Sequence, residues 1–125
     1  MTTYDPDAAP EPNEWLALEE DERIERIASY HRKARVRLPN RRVHAALHSV
    51  VENQIAEGLQ PVSEAVARLQ SEGLGRHDAL HAVGSVLVQS LQALLREESQ
   101  APFEVEAYFR KLRSLTAETW LSRES

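Results

Sequence analysis

The sequence predicts an all-α protein, an antiparallel bundle of about five helices that contains a duplicated helical hairpin. Apolar residues recur at three- and four-residue steps through successive segments, the period of one face of a helix. No segment alternates apolar and polar residues as a half-buried strand does. The breaks between segments are short and marked by Pro or Gly, which favours antiparallel neighbours packed side by side.

Residues 1–12 carry Pro6, Pro10 and Pro12 among acids and small residues, and have too little apolar surface to offset the entropy of ordering. They read as a flexible leader, with a single helical domain over 13–125. Trp15, Leu16 and Leu18 form an apolar knot that docks onto a first helix of about 19–34, where Ile24, Ile27 and Tyr30 share a face. Pro39 closes that segment and Asn40 caps a second helix, with Val43, Leu47, Val50, Val51 and Ile55 as its stripe before Gly58. A third helix starts at Pro61, turns Val62, Val66 and Leu69 inward and stops at Gly73. The fourth carries Leu80, Val83, Leu87, Leu91, Leu94 and Leu95 and is long enough to be the central element. After Pro102, the residues Val105, Tyr108, Phe109, Leu112 and Leu115 give a fifth amphipathic helix ending near Trp120.

Composition narrows the chemistry. The chain has 125 residues, 42% apolar and 28% charged, enough for one core without disulfides or metal. It contains no Cys, which removes thiolate zinc sites, iron–sulfur ligation and Cys nucleophiles, and suits a reducing cytoplasm. No apolar run is long enough to span a membrane. The net charge of −5 argues against a nucleic-acid partner. The charge is unevenly placed: nine acids against Arg23 and Arg26 up to residue 30, then Arg32, Lys33, Arg35, Arg37, Arg41 and Arg42 with no acid between them. This basic run lacks the interleaved aromatic residues of a single-strand platform and reads as a solvated helix end and loop paired with the acidic segment.

The informative feature is a repeat. His44-Ala45-Ala46-Leu47-His48-Ser49-Val50 and His77-Asp78-Ala79-Leu80-His81-Ala82-Val83 both fit HxALHxV, 33 residues apart, each after a helix and a turn, as expected of a duplicated hairpin. Residues four apart project from one helix face a turn apart, so each pair of imidazoles can ligate one ion. Two facing pairs offer four nitrogens, or two to four with a carboxylate from Asp78 or from Glu52, one turn further along the His44 and His48 row. Glu52 reads equally as a partner orienting a ligand, a base or half of a surface ion pair. His44, His48, His77, His81 and Glu52 are therefore the candidate metal ligands, a set suited to Zn²⁺, Fe²⁺, Ni²⁺ or Mn²⁺ rather than Ca²⁺ or Mg²⁺. A helical wheel places the apolar stripes to one side of the pairs, with His44 and His77 nearer the core than His48 and His81, which expects a site at a seam between helices or subunits.

Other residues read more plainly. Asp78 favours its helix N-terminus, Gln54 on the apolar face needs hydrogen-bond partners, and His31 reads as a helix-end histidine or a fifth ligand. Gly84, near the His81 row, suggests a close helix approach. Ala45 stands where an HExxH peptidase needs Glu. The His77-Asp78 pair is like that of HD-domain phosphohydrolases, but every later acid is Glu. There is no Walker loop, GxGxxG or GxSxG. The residues specify a donor set and no reaction, so an enzyme is neither indicated nor excluded.

The segments His44 to Gln54 (HAALHSVVENQ) and Gly73 to His81 (GLGRHDALH), with NEWLAL around Trp15 and the Tyr30-His31-Arg32 triplet, resemble a family of small bacterial proteins defined only as a domain of unknown function. The resemblance runs from about Trp15 to the middle of the fourth helix. It implies helical content and makes His44, His48, Glu52, Asn53, Gln54, His77 and His81 motif positions, and it implies no activity. The reading that follows is a cytoplasmic, transition-metal-binding helical bundle. Its rival is a non-enzymatic interaction module, in which the histidine rows and the Phe103 to Trp120 helix form a homodimer surface.

Overall fold

A computed structural model describes residues 4–33, 41–96 and 105–124. It is all-α, with seven helices and no strand among the described residues: α1 Pro12–Ala17, α2 Glu20–Lys33, α3 Arg41–Ala56, α4 Gln60–Ser71, α5 Arg76–Arg96, α6 Val105–Ser114 and α7 Ala117–Glu124. The expected roles of Pro39, Asn40, Pro102 and Phe103 fall outside the described residues, as do the side chains of Leu94 and Leu95. The described residues group into two compact units, one ending at Leu59 and the other beginning at Gln60, where the sequence alone marks one domain from residue 13 onward.

In the first unit, α1 and α2 both pack on α3. The Glu11 carboxylate caps α1 by accepting from the Glu14 amide at 2.7 Å, with Pro12 in the first turn, where its missing N–H costs nothing. The core joins Tyr4, Trp15, Ile24, Ile27, Ala28 and Ala45. The leader expectation fails at Tyr4 and Pro6, which are buried. One aromatic ring and a satisfied hydroxyl supply the interactions that the composition of 1–12 does not reveal.

Within α2, Ile24, Ile27, Ala28 and His31 are buried, the i, i+3, i+4, i+7 face of a packed helix. The same spacing recurs on α3 as Ala45, His48, Ser49 and Glu52, all buried, so the inward face of α3 is largely polar. The wheel reading is corrected in part: Val51 is buried as placed, but Val43 and Val50 of the same stripe are 54% and 37% exposed, and His48 is 3% exposed whereas His44 is half-buried. A wheel that weights only apolar residues finds Val51 on such a helix and misses the buried polar residues beside it.

In the second unit, α4, α5 and α6 pack pairwise. Val62, Ala65, Val66 and Leu69 of α4 are buried with Ala79, Leu80, Ala82, Val83, Val86 and Leu87 of α5, whereas Leu91 is 38% exposed. Gly73 follows α4 at φ +109°, a conformation that L side chains rarely adopt. There the Leu74 amide donates to the Leu69 carbonyl at 3.1 Å, closing the helix end as a Schellman-type cap does. The expected fifth helix is two. Thr116 interrupts it, its hydroxyl accepting from the Thr119 amide at 3.1 Å, the N-cap bond that starts α7. Arg68 holds the end of α6, donating to the carbonyls of Leu112 and Leu115 at 2.7 and 2.9 Å. Tyr108, Leu112, Leu115 and Trp120 are buried, while Val105 and Leu121 are exposed.

Each copy of HxALHxV lies on the second helix of a hairpin, α3 after α2 and α5 after α4. No described helix is long and apolar enough to cross a membrane.

Candidate metal centre

Helical spacing brings each histidine pair together. The rings of His44 and His48 are 4.6 Å apart between centroids on α3, and those of His77 and His81 are 4.4 Å apart on α5. The first pair gains a partner from α2: the His31 ring lies 4.9 Å from both His44 and His48. Three imidazoles from two packed helices thus form a near-equilateral triangle. One ring nitrogen from each lies within 4.8 Å of the others. A tetrahedral ion with metal–nitrogen bonds of about 2.05 Å needs its donors about 3.3 Å apart, so modest side-chain rotation closes the set.

His31 is 1% exposed, and its Nδ1 lies 2.8 Å from the Ile27 carbonyl oxygen. A carbonyl oxygen only accepts, so Nδ1 carries the hydrogen and Nε2 the lone pair that a metal ion would use. Histidines that bind metal are usually held this way, with the remote N–H on a carbonyl or carboxylate. Beside His48, the Ser49 hydroxyl is buried and has no hydrogen-bond partner among the described residues.

Glu52 sits on the inward face of α3 at 1% exposure, but its Oε2 accepts from the Tyr4 hydroxyl at 2.6 Å. Among the described residues it does not join the histidines at ligand distance. Its neighbour Asn53 accepts from Trp15 Nε1 at 2.9 Å and from Arg23 Nη1 at 3.0 Å, while Arg23 also donates to the carbonyls of Leu16 and Leu18. The VENQ motif thus ties the N-terminal segment to α3. Asp78 is exposed in the first turn of α5, as a helix-dipole role requires. At Gly84, an added Cβ meets nothing within 4 Å among the described residues, so close packing by them does not account for this glycine.

Sequence reasoning underrated His31. The signal was present: His31 continues the Ile24, Ile27, Ala28 face of α2, where a buried imidazole needs a partner. The basic run contributes one observed ion pair, Arg32 to Glu25 at 2.7 Å, between exposed side chains. Arg35 and Arg37 and the side chains of Lys33, Arg41 and Arg42 lie outside the described residues. A separate open groove of about 560 Å³, lined by Tyr4, Asp5, Glu11, Glu14, Trp15 and Arg26 among others, includes none of the histidines.

Comparison with known proteins adds no relative: no family model, curated protein or solved structure matches the chain.

Proposed function

We propose that this chain binds a divalent transition-metal ion through His31, His44 and His48. The observation that carries the reading is the triangle of rings, 4.6 to 4.9 Å apart, contributed by two helices of one unit. The hydrogen bond from His31 to Ile27 supports it by setting the tautomer in which Nδ1 carries the hydrogen and Nε2 the lone pair. Imidazole donors without thiolate suit Zn²⁺, Fe²⁺ or Ni²⁺, with Mn²⁺ the weakest of the four by the usual affinity order. The sequence repeat nominates His77 and His81 on α5 as metal ligands in their own right, and that part of the reading rests on the repeat. A reducing, cytoplasmic setting fits a chain with no Cys.

The test is the metal content of untagged protein purified without chelators, beside a His31→Ala/His44→Ala variant. About one equivalent of a transition metal in the parent, lost in the variant, is expected. A His77→Ala/His81→Ala variant reports what the second copy of the motif contributes. Metal-free parent protein, even after supplementation with Zn²⁺, Fe²⁺, Ni²⁺ and Mn²⁺, makes the triangle a structural feature and ends the proposal.

A further inference from the structure

The N-terminal segment reaches both helices that carry the three histidines. Tyr4 is 7% exposed, and its ring meets Tyr30 of α2 edge-on, with centroids 6.3 Å apart. Tyr30 in turn meets its neighbour His31 edge-on at 5.4 Å. On the other side the Tyr4 hydroxyl donates to Glu52 of α3 at 2.6 Å, and Glu52 follows His48 by one helical turn. Tyr4 is held in turn by Trp15, 5.7 Å away, whose indole nitrogen donates to Asn53 of α3. One side chain therefore touches α2 beside one histidine and α3 one turn from another.

We propose that Tyr4 and Glu52 are positioning residues for the histidine centre, so that docking of the N-terminal segment and occupation of the site by metal are coupled. This rests on the metal-binding reading above. The ligand nitrogens, within 4.8 Å of one another, must draw in to about 3.3 Å around a tetrahedral ion. The rings turn from positions that the packing of α2 on α3 sets, so how far each must rotate depends on the spacing of those helices at the level that Tyr4 bridges. A segment that favours the metal-competent spacing raises metal affinity by some factor, and by linkage the metal favours docking of the segment by the same factor.

The probe is Co²⁺, whose ligand-field absorption reports nitrogen coordination, and the protein is the full chain. Tyr4→Phe, which keeps the ring and removes the bond to Glu52, is expected to weaken Co²⁺ binding about tenfold, the lower end for loss of a group that orients ligands, while leaving the spectrum at saturation unchanged. In the parent, Co²⁺ is expected to slow hydrogen exchange at the amides of Ala8, Trp15 and Leu18, which donate within the segment. Co²⁺ affinity within twofold of the parent, or exchange at those amides indifferent to Co²⁺, overturns the coupling and leaves the metal site standing. A Tyr4→Phe protein that is less stable to urea but binds Co²⁺ normally also overturns it, because the bond is then structural. A parent that binds no Co²⁺ removes the metal reading and the coupling with it.

Discussion

His31 and Ile27 are joined by a 2.8 Å hydrogen bond from the imidazole Nδ1 to the carbonyl oxygen one turn earlier. The bond sets the tautomer, with the hydrogen on Nδ1 and the lone pair on Nε2, in a ring 4.9 Å from those of His44 and His48 on α3. Replacing His31 by Leu separates ligation from packing, because Leu extends the apolar row of Ile24, Ile27 and Ala28. We expect His31→Leu to lower metal affinity by at least the roughly tenfold to hundredfold that loss of an orienting partner costs, while the metal-free protein keeps its urea midpoint, because the Ile27 carbonyl still accepts from the residue 31 amide within α2. A metal-free variant that loses stability while metal still binds tightly assigns His31 to the core alone.

Asn53 presents a different balance, because its Oδ1 accepts from two donors at once, Trp15 Nε1 and Arg23 Nη1. Asn53→Leu leaves an indole N–H and a guanidinium facing an apolar side chain in a partly buried place. A cost of about 2 kcal/mol is expected from the desolvation of unpaired donors, read as a lower urea midpoint at an unchanged slope. Asn53→Asp keeps the acceptor and is expected to recover most of the loss. If Asp fails to recover it, the two bonds are not what anchors α1.

The legibility of this chain in its sequence follows the range of the interactions. The hairpins could be read because a packed helix repeats its buried residues locally, as Val62, Val66 and Leu69 do on α4. The i, i+4 histidine pairs could be read for the same reason. The rotation of α3 could not, since His48, Ser49 and Glu52 count as polar yet occupy its buried face. The seat of Tyr4 was illegible too, because its carboxylate partner lies 48 residues away and nothing local marks the pairing. The division between α6 and α7 was hidden by Leu112, Leu115 and Trp120, which keep helical spacing across a break that only the Thr116 and Thr119 hydroxyl pair discloses.

Gly84 lies inside α5, and a Cβ built there meets no atom of the described residues within 4 Å. With ordinary helical backbone and free space, Gly84→Ala should stabilise by about 1 kcal/mol, the difference in helix propensity between the two residues. Thermal unfolding of the metal-free protein measures it. A lower melting temperature shows that a neighbouring group does approach this face in solution.

Metal should stabilise the folded chain by mass action, since the triangle exists only when α2 and α3 are packed together. At a free ion concentration about a hundred times Kd, the gain is about 2.7 kcal/mol, which for a domain of this size raises Tm by several degrees. The sign of the pH effect follows from the ligands. Protons compete with the ion for imidazole nitrogen, so the metal-induced rise in Tm is expected to shrink from about pH 7.5 to about pH 5.5. A carboxylate-dominated site would keep most of its shift across that interval, because carboxylates stay ionised there. The His31→Ala/His44→Ala variant should show no shift at either pH, and a shift that survives in it places the ion on other residues of the chain.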